Sequence, residues 1–211
     1  QILYPVNPGS IYHMTKTLDQ LIFYYYNKND NMRVTDLHQG IVWGTQTDET
    51  ALDERLINRF DYDGEFGTVL NRFCLQSAIN HPITVYGDGG QTRAFININD
   101  SISCILLAIK NSPKMNDPVH IYNQATETHS VIKLAEKIAV LTNNRIEKYN
   151  NPRNESTHNI LKIKNDKLLN LGLSPTFLSD DLIMKIYEQA IKYKGNCNIK
   201  KIMPVSTWNK F

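Results

Sequence analysis

Residues 33–44 read RVTDLHQGIVWG, and their apolar and β-branched side chains predict a buried strand followed by its exit loop. A helix is predicted just before this strand. After the breaker Pro8-Gly9-Ser10, apolar residues recur with helical spacing from Met14 to Tyr25, which predicts an amphipathic helix over residues 11 to 28. A helix that leads into a buried strand is one unit of a layered α/β architecture.

The same alternation continues towards the end of the chain. Apolar periodicity predicts a helix over 70–78, strands over 82–86 and 119–123, and a glycine turn over 87–90. Three polar residues are predicted to cap further helices: Asp100, Ser130 and Ser179. The polar segment 45–63 lacks a long apolar periodicity and is either a surface insertion or a lid. Together these patterns predict an α/β layered fold.

Composition narrows the class of protein. The chain has 211 residues, of which 41% are hydrophobic and 21% charged, so it can bury a core like an ordinary globular protein. The formal net charge is only +2, which offers no basic field for nucleic acid or an anionic membrane. An anionic ligand must therefore be bound by local groups.

Three further patterns bear on disulfide bonds, membrane insertion and metal binding. Cys74, Cys104 and Cys197 lie far apart and form no C-x-x-C pair, which disfavours a disulfide framework. We find neither an apolar run of the roughly 20 residues that a membrane span needs nor a signal-peptide pattern. The histidines show no ligand spacing, so no metal site is predicted. A soluble protein of a reducing compartment fits this composition.

Tyr12 and Lys16 stand one helical turn apart and therefore project from one face of the first predicted helix. An ammonium beside a phenol favours the phenolate, which could then accept a proton from a hydroxyl group. The chain contains its own control for this pattern, because Tyr24 and Lys28 repeat the spacing. From spacing alone, packing or simple solvent exposure of Tyr12 remains the alternative.

Two histidines are weaker candidates. His13 neighbours Tyr12 but points about 100° away on a regular helix, so it would reach a different part of the same ligand. His38, with Gln39, lies at the carboxyl end of the predicted strand, where ligands gather in open α/β sheets. A structural role for His38 is equally compatible with the pattern.

Arg93 follows the glycine turn in the segment GDGGQTRAF, residues 87–95, as in a loop that faces a phosphate. Its guanidinium could donate two hydrogen bonds to a diphosphate. A solvated arginine on a surface turn is the alternative. Arg72 and Arg153 would favour the diphosphate interpretation only if folding brings them to the same pocket.

These and other short stretches of the chain form a recognisable set. They are Ile11-Tyr12-His13-Met14-Thr15-Lys16, Thr35-Asp36-Leu37-His38-Gln39-Gly40, Thr47-Asp48-Glu49-Thr50, Phe60-Asp61-Tyr62-Asp63, Leu70-Asn71-Arg72-Phe73-Cys74, Thr84-Val85-Tyr86-Gly87, Gln91-Thr92-Arg93, Tyr122-Asn123-Gln124-Ala125-Thr126-Glu127, Asn151-Pro152-Arg153 and Lys201-Ile202-Met203-Pro204. Together they resemble the UDP-sulfoquinovose synthase family, of the extended short-chain dehydrogenase type. The Thr-Asp-Glu-Thr insertion and the Asp-Tyr-Asp run are the most restrictive of them.

The resemblance implies a fold and its division. The expected fold is the C-terminal part of a Rossmann-like doubly wound parallel sheet plus a smaller mixed α/β substrate-binding domain. Residues 1–44 would belong to the NAD-binding Rossmann domain. Residues 45–211 would mainly form the UDP-sugar-binding domain, with about 95–125 returning to the Rossmann sheet.

The resemblance also implies an activity. Such an enzyme joins sulfite to UDP-glucose with NAD as cofactor, through 4-keto and 4-keto-5,6-ene sugar intermediates, to make the head-group donor for sulfolipid. Tyr12 would be the base at the sugar C4 hydroxyl, Lys16 would hold the nicotinamide ribose, His13 would assist, and the backbone of Val42 would meet the carboxamide. The implied contacts to the UDP-sugar are Gln39, Val69, Leu70, Asn71, Arg72, Thr84, Val85, Tyr86, Gln91, Thr92, Arg93 and Arg153.

The most important departure from the family is that the chain contains no Gly-rich phosphate loop after a first strand. The upstream threonine that the resemblance implies beside Tyr12 and Lys16 is also absent, and His38 stands where many relatives carry asparagine. Since it also begins with Gln1, we expect a truncated chain that is inactive by itself. The resemblance further implies a homodimer, a partner protein that delivers sulfite, and a cytoplasmic location, or the plastid stroma in a photosynthetic eukaryote. Another UDP-sugar 4-epimerase, a 4,6-dehydratase and a non-catalytic UDP-binding module are the alternatives.

Overall fold

The computed structural model describes residues 11–64, 66–151 and 160–203. Its α-helices are α1 (Ile11–Asp30), α2 (Val69–Ala78), α3 (Ile98–Lys110), α4 (Val131–Thr142), α5 (Asp166–Asn170) and α6 (Asp180–Tyr193). Its strands are β1 (Thr35–Gln39), β2 (Ile41–Trp43), β3 (Ile83–Tyr86), β4 (Thr92–Asn97), β5 (His120–Gln124), β6 (Glu127–Ser130) and β7 (Ile146–Tyr149). Within this part of the chain, no helix combines the length and apolarity needed to cross a bilayer.

The strands form three small sheets. Parallel pairs join β1 to β5 and β3 to β7, while β4 pairs in parallel with β2 and antiparallel with β6. The predicted α/β class is therefore confirmed. The sequence predicted one strand and an exit loop over 33–44, but the structure divides this segment at Gly40 between two sheets. A Cβ at Gly40 would lie 3.0 Å from the carbonyl oxygen of Ala94, so any other residue here would have to displace that backbone by a few tenths of an ångström.

The central three-stranded sheet separates two apolar cores. Ile41 and Phe95 pack into the first core, together with side chains of α2, α4, α6 and β3. Val42 and Ile96, the next residue in each strand, pack into the second core with side chains of α3, α5 and β5. Since successive side chains of a strand point to opposite faces, two short strands supply both cores.

Two of the three helix caps predicted from the sequence are present in the structure. The predicted caps Ser130 and Ser179 are confirmed, because each side-chain oxygen accepts a hydrogen bond from the backbone three residues later. The predicted cap Asp100 is wrong. Helix α3 begins earlier, with Asn97 as its cap, and Asp100 lies in the first turn.

The glycine turn at 87–90 is confirmed, but the segment after it is not the expected loop. Thr92 and Arg93 open strand β4, with Arg93 directly opposite His129 of β6. Sequence periodicity missed β6 because its residues, Glu127–Ser130, are polar. The turn packs closely: Gly89 has φ of +72°, and a Cβ there would lie 2.7 Å from Val85 Cγ1.

The polar segment 45–63 is an anchored insertion. Thr47 and Thr50 cap each other: the N–H of Thr47 donates to Thr50 Oγ1 at 2.7 Å, and the N–H of Thr50 donates to Thr47 Oγ1 at 3.2 Å. Two short 3-10 helices follow, and Glu54 in the second accepts hydrogen bonds from Lys192 and Tyr193 near the end of α6. These contacts favour the interpretation of the segment as a surface insertion and disfavour its interpretation as a lid.

A second remote contact ties α6 to the sheet. Asp100, only 4% exposed, accepts hydrogen bonds from the N–H of Thr176 at 2.6 Å and its hydroxyl at 3.1 Å. The N–H of Leu178 donates to Glu127 at 2.8 Å. Burial, together with the nearby Glu127 carboxylate, raises the pKa of Asp100 despite the hydrogen bonds from Thr176. Two carboxylates thus hold the chain that leads into α6.

We expect the stability of Asp100→Asn, measured as its free energy of unfolding, to increase relative to that of the unsubstituted protein as the pH rises. Because folding raises the pKa of Asp100 above its ordinary 3.8, its contribution to stability is greatest below pH 3.8 and is lost as the pH rises through the folded value. Without a buried charge, asparagine can accept from the N–H of Thr176 through Oδ1 and donate to its hydroxyl through Nδ2. The measurement is urea unfolding of both proteins at pH 4 and pH 7, and a difference that does not change with pH would contradict the prediction.

Asp100→Ala is the matched control. It leaves the half-buried N–H of Thr176 without its acceptor, so the free energy of unfolding should fall by about 1–3 kcal/mol at pH 7. Equal stability of the Asn and Ala variants would show that the contact to Thr176 contributes nothing.

Candidate functional site

The first group of candidate residues lies near the start of α1. Tyr12 is 64% exposed, and the Lys16 nitrogen lies 6.0 Å from the centre of its ring while pairing with Asp19 at 3.2 Å. The ring of His13 meets the Tyr12 ring edge-on, with the centroids 5.5 Å apart. The structure therefore groups all three predicted catalytic residues, with the phenol accessible to a ligand.

Gln20 attaches this helix to the sheet. Its amide lies 3.0 Å from His38 Nε2 and 3.5 Å from Asp36 Oδ2, two residues of β1. Gln20 is one further turn along the face that carries Tyr12 and Lys16. His38 is thus in hydrogen-bonding contact with Asp36, at 3.0 Å, and with Gln20 of α1.

Gln39 ends β1 and reaches across to α3. Its amide donates to Ser101 Oγ at 2.9 Å, and Gln124, at the end of the adjacent strand β5, donates to the same hydroxyl at 3.1 Å. Both glutamines lie at carboxyl ends of parallel strands, the usual location of ligands in such sheets. Val42 is half-buried in β2, which is an edge strand among the strands described here.

The start of α2 carries a second group. Thr68 caps the helix by accepting a hydrogen bond from the N–H of Asn71 at 3.4 Å. Val69, Asn71 and Arg72 are half-buried, whereas Leu70 is fully buried in the first core. A ligand here would meet the backbone of Leu70 and the side chains of its neighbours.

The end of β3 lies beside this helix. Thr84 and Val85 are fully buried, and the amide of Gln76 bonds both the hydroxyl of Thr84, at 2.7 Å, and its N–H, at 3.0 Å. A ligand could contact these two residues only through the backbone. Tyr86 is half-buried, and the Arg72 guanidinium lies 5.5 Å from the centre of its ring. Folding therefore brings Arg72 and Tyr86 together.

Arg93 projects from β4 on the face that carries His129 of β6, because directly opposed residues of antiparallel strands share a face. His129 bonds Glu127 at 2.8 Å and meets the ring of Phe95 edge-on. Gln91 is buried and donates to the Tyr86 carbonyl at 3.5 Å, while Thr92 accepts from the N–H of Leu161 at 2.6 Å. The predicted ligand Arg153 lies outside the described residues.

Met203 has no role predicted from its sequence pattern, yet its sulfur accepts a hydrogen bond from the Tyr86 hydroxyl at 3.8 Å. The two residues are 117 positions apart, so no local pattern could connect them. Only its place in the motif Lys201-Ile202-Met203-Pro204 singled it out.

The cysteines are poor nucleophiles here. Burial raises the pKa of the Cys74 thiol to about 12 and, with a contribution from Asp100, that of Cys104 to about 11. Both stay protonated at neutral pH. Among the described residues, His, Cys, Asp and Glu form no cluster of three or more that could bind a metal ion.

Two curated relatives carry the name UDP-sulfoquinovose synthase. The protein from Spinacia oleracea, named as chloroplastic, is 43% identical over 214 residues, covering 98% of this chain and 44% of the relative. The protein from Sulfolobus acidocaldarius is 35% identical over 217 residues, covering 100% of this chain and 55% of the relative. The chain thus spans about half the length of the curated relatives it matches.

Solved structures share the fold. The UDP-glucuronic acid 4-epimerase from Bacillus cereus, in complex with UDP-glucuronic acid and NAD, has a TM-score of 0.69 at 22% identity, covering 90% of this chain and 55% of that one. A Thermotoga maritima UDP-glucose 4-epimerase with UDP-glucose has a TM-score of 0.69 at 16% identity, covering 93% and 59%. At such identities the likeness concerns the fold alone.

A family model matches residues 2–125, which is more than half of the chain. This match agrees with the α/β fold and its parallel strand pairs. The chain belongs to the NAD dependent epimerase/dehydratase family.

Proposed function

We propose that this chain is part of a UDP-sulfoquinovose synthase, which forms UDP-sulfoquinovose from UDP-glucose and sulfite with NAD as cofactor. The observation that carries the proposal is the 43% identity to the spinach protein across 98% of the chain. An archaeal protein of the same name is 35% identical along the whole chain. The paired Tyr12 and Lys16 on an accessible helix face supply the chemistry that the proposal needs.

Tyr12 is the acid and base of the proposed reaction. NAD, when bound, would reversibly accept hydride from C4 of the sugar. As that hydride leaves, the Tyr12 oxygen takes the proton of the C4 hydroxyl, and it returns the proton when the hydroxyl is restored. The ammonium of Lys16 stabilises the phenolate by its charge. His13, edge-on to the Tyr12 ring, holds that ring in place.

The residues present fit the nicotinamide end of the cofactor. Lys16 is exposed and can leave Asp19 to donate to a ribose hydroxyl, because a surface ion pair contributes little. β2 is an edge strand of its sheet in the described chain, so the backbone of Val42 can meet a carboxamide. The division into a cofactor-binding and a sugar-binding part is supported by the two cores on either side of the central sheet.

The UDP moiety would lie against the start of α2 and the end of β3. Backbone N–H groups at a helix N-terminus attract phosphates, and Arg72 adds a cation beside them. Arg93 would donate to the diphosphate from β4, with Arg153 as a further proposed ligand. Gln39, Tyr86, Gln91 and Thr92 would orient the sugar and the base.

Further parts of the proposal concern assembly and location. Helix α1 has no fully buried residue, and its exposed apolar side chains support a homodimer formed through this helix. Sulfite as the second substrate, and its delivery by a partner protein, follow from the resemblance. The chloroplastic spinach relative supports the plastid stroma if the source is photosynthetic. We also propose that the chain is inactive without the further length of its relatives.

Product analysis tests the function directly. The full-length protein should convert UDP-glucose to a sulfonated sugar nucleotide when NAD and sulfite are present. Mass spectrometry distinguishes this product from an unsulfonated 4-epimer or 6-deoxy sugar. Either of those products would instead assign a UDP-sugar 4-epimerase or a 4,6-dehydratase.

Tyr12→Phe should abolish the transient absorbance of NADH while leaving UDP-glucose affinity nearly unchanged, since the phenylalanine keeps the ring and loses only the proton acceptor. Stopped-flow absorbance in the full-length protein measures the NADH. Tyr24→Phe is the matched control, because Tyr24 stands in the same spacing to Lys28 on the same helix. Unchanged NADH formation in Tyr12→Phe would exclude Tyr12 as the base.

Arg93→Ala should weaken the binding of UDP by about 1–3 kcal/mol, the loss of a charge-assisted hydrogen bond. Isothermal titration calorimetry measures the affinity. Arg145→Ala is the control, because Arg145 has an exposed side chain at the start of β7 and pairs with Glu147. Equal affinities of the two variants would place Arg93 outside the diphosphate site.

A further inference from the structure

The segment Asn198–Met203, here called the carboxyl-terminal strap, runs from the region after α6 to the end of β3. It contains a short 3-10 helix over Ile199–Lys201, which Asn198 caps by accepting a hydrogen bond from the N–H of Lys200 at 3.2 Å. Ile202 is only 1% exposed. The strap therefore has a defined shape and is fixed to the protein through a buried side chain.

The insertion at 45–63 and the adjoining Gly64 hold the strap in place. The hydroxyl of Tyr62 accepts a hydrogen bond from the N–H of Asn198 at 2.8 Å, and the N–H of Gly64 donates to the carbonyl of Lys201 at 2.9 Å. Neither contact involves a residue of the proposed UDP site. The position of Met203, two residues beyond Lys201, is thus determined independently of the residue that it touches.

The Tyr86 hydroxyl donates a hydrogen bond to the sulfur of Met203, with 3.8 Å between oxygen and sulfur. The same tyrosine has a second contact, because the Arg72 guanidinium lies 5.5 Å from the centre of its ring. Tyr86 thus links Arg72, near the start of α2, to Met203 of the strap. A thioether sulfur is a weak hydrogen-bond acceptor, and its flexible side chain also fills space beside the tyrosine.

We propose that Met203 is a positioning residue for the nucleotide site, which holds the Tyr86 ring where it supports Arg72 and so raises the affinity for uridine diphosphate. The inference rests on the proposed function, which supplies the ligand. Met203 acts on binding and leaves the hydride and proton steps at Tyr12 unaffected. Its effect therefore appears in KM for the UDP-sugar, with kcat unchanged.

The test compares the affinity of the full-length protein for UDP with that of Met203→Ala and Met203→Leu. Alanine removes both the acceptor of the Tyr86 hydroxyl and the bulk beside it, and we expect affinity to fall about three- to tenfold, as for the loss of one hydrogen bond. Leucine restores the bulk without the acceptor, so its affinity should lie between those of Met203→Ala and the unsubstituted protein. Met115→Ala, at a 65% exposed position, is the control.

A separate variant tests the strap at its far end. Tyr62→Phe keeps the ring and removes the acceptor of the Asn198 N–H, so UDP affinity should fall although Tyr62 belongs to no proposed ligand contact. KM should rise in Tyr62→Phe and in Met203→Ala with kcat unchanged. A role confined to general stability would lower the unfolding midpoint without this change in KM.

The outcomes separate this inference from the function itself. Failure of the unsubstituted protein to bind UDP would reject the proposed function, and this inference with it. Normal UDP binding that Met203→Ala leaves unaltered would overturn the positioning role alone. A loss of affinity as large in the control Met115→Ala would also overturn it, because the effect would then not depend on the contact with Tyr86.

Discussion

The alternation of side chains across the sheet β2-β4-β6 is the constraint on which the rest of the structure depends. Phe95 and Ile96 are adjacent in sequence yet belong to different cores. A shift of one residue in the register of β4 would exchange them and would also turn Arg93 away from the first core. The sheet thus determines which side chains form each core and also the face from which Arg93 projects.

Contacts between distant segments then place the candidate residues. Gln20 joins α1 to the end of β1, and the shared hydroxyl of Ser101 joins Gln39 to Gln124. The carboxylate of Asp100 connects α3 to the chain before α6, 76 residues away. The candidate residues are consequently positioned by side chains that bridge separate elements.

Part of the resemblance to the family has a structural explanation. In the Thr-Asp-Glu-Thr motif, Thr47 and Thr50 cap each other, and the Thr47 hydroxyl bonds Glu49 and lowers the pKa of that carboxyl. Tyr62, in the Asp-Tyr-Asp run, anchors the strap. These restrictive motifs thus shape the insertion, whereas the residues proposed for proton transfer lie on α1.

The sequence by itself determined what depends on neighbours along the chain: helix α1, the caps Ser130 and Ser179, and the spacing of Tyr12 and Lys16. These features need only hydrogen bonds and side-chain contacts within one turn. Tertiary structure alone decided the division at Gly40, the polar strand β6 and the contact of Met203 with Tyr86. Each of those depends on a partner far away in sequence, whose position no local pattern contains.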